Sequence, residues 1–146
     1  MKTWVKVVIG LLAVGFVGAA ALVGGIYYWV SKNKDTLIAE TREAVEAGKT
    51  YGASHKKDEC IEYSLTKLGD CGGFNLICET KNKMFLQTCL GSSAPQANFC
   101  DGIPKMSEII ATAQWTVQQC AKRGRINDQP CTRLMQAVTA HCHAMK

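Results

Sequence analysis

Eight cysteines stand at positions 60, 71, 78, 89, 100, 120, 131 and 142, and five of the seven intervals between them are eleven residues. In an α-helix eleven steps of about 100° make roughly 1100°, three turns plus about 20°. Two cysteines so spaced share a face but lie about 16 Å apart along the axis. A disulfide needs Cα atoms within about 7 Å. Cys78 therefore cannot bond Cys89 on the same helix, nor Cys131 bond Cys142. Each sulfur must find its partner on a neighbouring element, which points to short helices folded back on one another.

In an antiparallel hairpin the positions of facing residues add to a constant. Cys60 with Cys89 and Cys71 with Cys78 give the same total. The first pair would close the open end of a hairpin, the second the end beside its Gly72-Gly73 turn. In the second half Cys120 with Cys131 and Cys100 with Cys142 give slightly different totals, which a loop position for Cys100 absorbs. The expected pairing is thus nested: 60–89, 71–78, 100–142 and 120–131. Short helices with few large side chains bury too little surface to be stable without staples. A disulfide closing a loop of 15 to 40 residues contributes about 3–4 kcal/mol. Structural stapling therefore accounts for all eight cysteines.

The arrangement resembles in construction the coiled-coil-helix-coiled-coil-helix proteins, helical hairpins stapled by twin pairs of cysteines. Those proteins space their paired cysteines one residue closer and carry no N-terminal membrane span. The resemblance implies a stapled helical hairpin and no particular activity.

The apolar and polar residues recur with helical period throughout, without the alternation of a half-buried strand. Asp35 can cap a helix to Ala47 with Leu37, Ile38, Thr41, Ala44 and Val45 on one side and Gly48 as its stop. Ser54 can cap a second helix, ended by Gly69, with Cys60, Ile61, Ser64, Leu65 and Leu68 inward. Asn75 opens a third, to Leu90 and Gly91. Residues 92–104 read as a loop. A fourth helix runs from Lys105 or Ser107 to Arg123 with Ile109, Ile110, Ala113, Val117, Cys120 and Ala121 inward. Asp128 and Pro130 start a fifth, to Ala144, whose stripe is Cys131, Leu134, Met135, Val138, Cys142 and Met145.

Upstream, no charged residue falls between Lys6 and Lys32. Residues 7–30 would extend roughly 36 Å as a helix, enough to cross a hydrocarbon core of about 30 Å. Trp4 at one end and Tyr27, Tyr28 and Trp29 at the other suit the two headgroup layers. A cleaved signal peptide would use Ala19-Ala20-Ala21 as its cleavage site, but the apolar run is too long for that reading. Nor does a cysteine precede Cys60 to accept a lipid. Small residues four apart, such as Gly15 and Ala19 or Ala20 and Gly24, would admit a partner helix but define no single seam. The cysteines set the orientation: disulfides persist in an oxidising compartment, so the N-terminus is expected inside and the cysteine-rich part outside. A bacterial inner membrane facing the periplasm is the expected setting.

The expected organisation is all-α. Residues 1–6 form a cytoplasmic n-region, 7–30 a transmembrane signal anchor and 31–50 a stalk helix. Residues 51–146 form a disulfide-stapled ectodomain of two antiparallel helical hairpins. With 47% hydrophobic and 20% charged residues the chain is not disordered. Its net charge of +5 lacks the clustering of a nucleic-acid surface, so no nucleic acid is expected as a partner. The expected partners are the lipid bilayer and another protein, or a second copy, met through span or ectodomain.

No catalytic constellation is evident. His141-Cys142-His143 is the most ligand-like cluster, since imidazole and thiolate suit zinc or copper. His141 and His143, however, point about 200° apart on a helix, and Cys142 is wanted for a disulfide. His55 reads as isolated and solvated. Asp58, Glu59 and Glu62 read as a solvated helix face, and Lys122, Arg123 and Arg125 as a basic helix end. No C-x-x-C pair supplies a redox thiolate. The reading is a membrane-anchored interaction or accessory protein, with no enzyme activity and no cofactor expected. The alternative is an envelope protein handling redox equivalents or metal through residues 141–143.

Overall fold

In a computed structural model of the chain, the backbone is described for residues 2–72 and 75–145, and side chains for 15, 18–36, 38–72 and 75–145. The order is α1 (Lys2–Gly52), α2 (Lys57–Gly69), α3 (Leu76–Ser92), α4 (Ile109–Lys122) and α5 (Gln129–Ala144), with no strand among the described residues. The chain divides into two compact units, Met1–Ala39 and Glu40–Lys146.

In the first unit Leu22, Val23 and Ile26 are exposed, and a Cβ added at Gly15, Gly18, Gly24 or Gly25 would meet nothing within 4 Å. Among the described residues no helix is long and apolar enough to cross a membrane. The expected span over 7–30 lies partly outside the described residues, because the side chains of 7–14, 16 and 17 are not among them. Leu37, expected on the inward side of the stalk, lies outside them too.

In the second unit the helices start where the sequence supplies an acceptor. Asn75 accepts from the Cys78 amide at 3.1 Å, and Asp128 accepts from the Cys131 amide at 2.9 Å with Pro130 in the first turn. Each satisfies a donor that the helix itself leaves unpaired. Two starts differ from the expectation. The second helix begins at Lys57, not beyond a Ser54 cap, because Glu59 accepts from the Lys56 amide at 2.6 Å. Ser54 instead donates to the Tyr51 carbonyl. The fourth begins at Ile109, because the carboxylate of Glu108 turns back to the Lys105 amide at 2.8 Å.

Gly48 does not end α1. The helix continues to Gly52, and Ala44, Gly48 and Gly52 are buried. A Cβ on Gly48 would come within 2.6 Å of the Phe85 carbonyl oxygen, and one on Gly52 would strike the Cys89 carbonyl. Small residues at every fourth position let α1 approach the backbone of α3. That contact outweighs the poor helix propensity of glycine.

The core lies among α2, α3 and α5. It joins Ile61, Leu65 and Leu68 to Phe85, Leu86 and Leu90, and both groups to Leu134, Met135 and Val138. Most of the expected inward stripes of α2 and α5 are buried as read, though Met145 is 60% exposed. That of α4 is not. Only Thr116 and Cys120 are buried on α4, while Ile109, Ile110 and Val117 are 77%, 76% and 49% exposed. The helix is fastened along the flank of its apolar stripe, so the stripe faces outward.

Candidate functional site

Four disulfides frame the second unit: Cys60–Cys89, Cys71–Cys78, Cys100–Cys142 and Cys120–Cys131, with Cα separations of 5.9, 5.7, 5.5 and 6.1 Å. These are the four nested pairs that the spacing picks out, and no described cysteine is free. Cys60–Cys89 and Cys71–Cys78 tie both ends of α2 to α3, so those two helices run antiparallel. Cys120–Cys131 bridges the turn between α4 and α5. Cys100 lies in the connection before α4 and fastens it to the last turns of α5.

Beside two of these bonds lies a polar contact that the sequence did not announce. Lys57, the first residue of α2, is only 3% exposed. Its ammonium donates to the Leu90 carbonyl oxygen at 2.5 Å and stands 3.2 Å from Nε2 of His141 on α5. Leu90 belongs to the last turn of α3, where carbonyls lack helical partners and the helix dipole is negative. The Phe99 ring completes the pocket, 5.7 Å from the ammonium and edge-on to His141 at 6.3 Å between centroids. An ammonium has donors only. Nε2 of His141 therefore accepts, which makes the ring neutral with its proton on Nδ1. Burial lowers the pKa of Lys57, and burial followed by the Lys57 charge lowers that of His141.

The other expected ligands are engaged separately. His143 Nε2 lies 2.8 Å from the Pro104 carbonyl oxygen, so it donates there while His141 turns to Lys57. Cys142 between them is bonded to Cys100. The three donors of residues 141–143 thus serve three different partners. Among the described residues no group of three or more His, Cys, Asp or Glu is placed to hold a metal ion. His55 is not isolated. It stacks on Tyr51 with centroids 3.6 Å apart, and its Nδ1 is 2.8 Å from the Tyr51 carbonyl oxygen.

Asp58, Glu59, Glu62 and Lys122 are exposed, as read, and several of the charged residues also link elements. Arg123 donates to Glu62 at 2.8 Å, linking the end of α4 to α2. Arg125 donates to Asp128 at 2.8 Å and to the Leu65 carbonyl oxygen at 2.6 Å, holding the turn before α5 against α2. Gln96 donates to Asp58 at 3.0 Å, and Glu59 caps its own helix. Arg133 grips Glu79 through two nitrogens. Two open grooves accompany them. One of about 680 Å³ runs beside Tyr63, Lys81, Asn82 and Phe85, and one of about 650 Å³ beside Arg125 and Arg133. The arginines of the second already hold carboxylates.

One signal for these features is present in the sequence. The four-residue spacing of Ala44, Gly48 and Gly52 marks a close helix approach. The position of Lys57 at a helix start, opposite the end of the hairpin's second arm, becomes informative only after the hairpin is folded.

Comparison of the chain with known protein families, curated proteins and solved structures returns no match.

Proposed function

We propose that the chain is a single-pass membrane protein whose disulfide-stapled helical domain, held outside the cytoplasm, serves as an interaction or accessory module. The span is residues 7–30, with the N-terminus cytoplasmic and the cysteine-rich unit on the far side of a bacterial inner membrane. Three features support the reading. The run from Val7 to Val30 carries no charge and has aromatic residues at its end. Its described apolar side chains, Leu22, Val23 and Ile26, stand uncovered. Disulfides persist where the cytosol's reductants do not reach.

One observation carries the interaction role. Residues 109–121 contain no charged side chain, and Met106, Ile110, Ala113 and Val117 lie exposed along one side of α4 and its approach. Charge depletion with exposed aliphatic side chains is the composition of an interface centre. The test is chemical cross-linking of the full-length chain in isolated membranes, beside a variant carrying Ile110→Glu and Val117→Glu. The reading expects the chain in the membrane fraction and a discrete cross-linked species that the variant loses while keeping its four disulfides. A chain in the soluble fraction would overturn the anchor. A species that survives both substitutions, or none in the wild type, would overturn the interaction role of α4.

A further inference from the structure

We propose that the Lys57–His141 contact is an acid-released latch. Protonation of His141 sets two cations against each other and loosens the connection 93–108 from the ends of α2, α3 and α5. The inference stands apart from the membrane reading and rests on the geometry of the contact.

The latch draws on four segments. Lys57 comes from the first turn of α2, the Leu90 carbonyl from the last turn of α3, His141 from the last turns of α5, and Phe99 from the connection. Lys57 has only donors, so the contact requires the lone pair of Nε2. A proton on that nitrogen removes the acceptor and places a second positive charge about 3 Å from the first, in a partly buried contact.

Among the described residues no carboxylate forms an ion pair with Lys57 or His141. On α2, Asp58 is taken by Gln96 and Glu59 by the Lys56 amide, while Lys56 is exposed. From α3 the partner is a carbonyl. In the connection Asp101 and Lys105 are exposed, and Glu108 is occupied by the Lys105 amide. On α5, His143 donates to Pro104, a bond that a protonated ring keeps. Lys57 is the charge that acts on His141.

The response is local because covalent bonds bracket it. Cys60–Cys89 lies one turn along α2 from Lys57, and Cys100–Cys142 sits beside His141. The connection stays tethered at Cys100 while Phe99 is freed. Beside it lies an open, mostly polar groove of about 400 Å³, lined by Phe99 and Trp115 together with Asp58, Gln96 and Arg123, which the movement would widen.

The sign follows from linkage. The folded-state pKa of His141 is lowered from 6.5, so between the two values the unfolded chain binds the proton and the folded one does not. The contribution to stability is fully present above the unfolded value and is lost as pH falls through the folded value. Burial lowers the Lys57 pKa from 10.5, so below that value rising pH relieves the burial of its charge.

The experiment is a histidine NMR titration of the full-length chain together with hydrogen exchange of residues 93–104, corrected for intrinsic rates, between about pH 7 and about pH 5. The proposal expects His141 to titrate below 6.5 and exchange of the connection to step up as it does so. His141→Gln keeps an acceptor without a titrating group and should lose the step. Lys57→Met should move the His141 titration up toward 6.5. If Lys57→Met does not fold, the wild-type titration and His141→Gln still decide. A His141 midpoint at or above 6.5, or a step that persists in His141→Gln, overturns the latch.

Discussion

The two hairpins of the cysteine-rich unit carry the same number of staples and use them differently. In the first, α2 and α3 turn apolar faces to each other and to α5, and Cys60 and Cys89 are themselves fully buried beside Leu86 and Leu90. There the disulfides reinforce a core that side chains already fill. In the second, α5 is buried on several sides, but α4 contributes little beyond Thr116 and Cys120. Its attachment rests on Cys120–Cys131, on Arg123 reaching Glu62 and on the half-buried Trp115. A covalent bond can hold a helix in place without consuming its apolar face, and that leaves the face available to something else.

The largest effect that sharpens this contrast comes from the staples. Loop-closure entropy scales with the residues enclosed, and Cys100–Cys142 spans 42 positions while Cys71–Cys78 spans 7. Replacing Cys100 and Cys142 together by serine should cost about 4 kcal/mol, against about 2 kcal/mol for Cys71 and Cys78. Denaturant unfolding of the two double variants measures the difference, and equal losses would break the comparison.

Next are the side chains. Leu86, fully buried in the first hairpin, should cost about 3 kcal/mol when replaced by alanine, whereas Ile110→Ala on α4 should change stability by less than about 0.5 kcal/mol. An Ile110→Ala loss as large as that of Leu86→Ala would mean that the α4 stripe is part of the core after all. Gly48→Ala should cost about 2 kcal/mol, because the new methyl meets the Phe85 carbonyl, while Gly91→Ala meets nothing within 4 Å and should be tolerated. Thermal melts of the pair test whether α1 truly docks on α3. The smallest effect belongs to Arg123→Ala, which should stay under about 1 kcal/mol because Glu62 is 62% exposed.

Much of this architecture could be read from residues alone. The eleven-residue period is a helical repeat, and sulfur chemistry forbids bonding along one helix, so spacing constrains both the helices and their pairing. Asn75 and Asp128 were legible as caps because the acceptor stands directly before the apolar run. The facing of α4 was not legible. Periodicity shows that Ile109, Ile110, Ala113 and Val117 lie along one side, but it does not show that anything covers them. Gly48 was misread for a related reason: a glycine ends a helix in isolation but permits close packing when Ala44 and Gly52 share its face. Lys57 was invisible as a buried residue, since its burial depends on the end of α3 and the last turns of α5 arriving beside it. The chemistry of residues 141–143 likewise depended on what each side chain meets, and adjacency in sequence sent them to different partners.

The nested pairing of the cysteines bears on every other statement, and peptide mapping by mass spectrometry without reduction tests it directly. The account predicts linked peptides joining Cys60 to Cys89, Cys71 to Cys78, Cys100 to Cys142 and Cys120 to Cys131, with no thiol free to alkylation. A free thiol in the native protein, or a peptide joining one hairpin's cysteines to the other's, would contradict it.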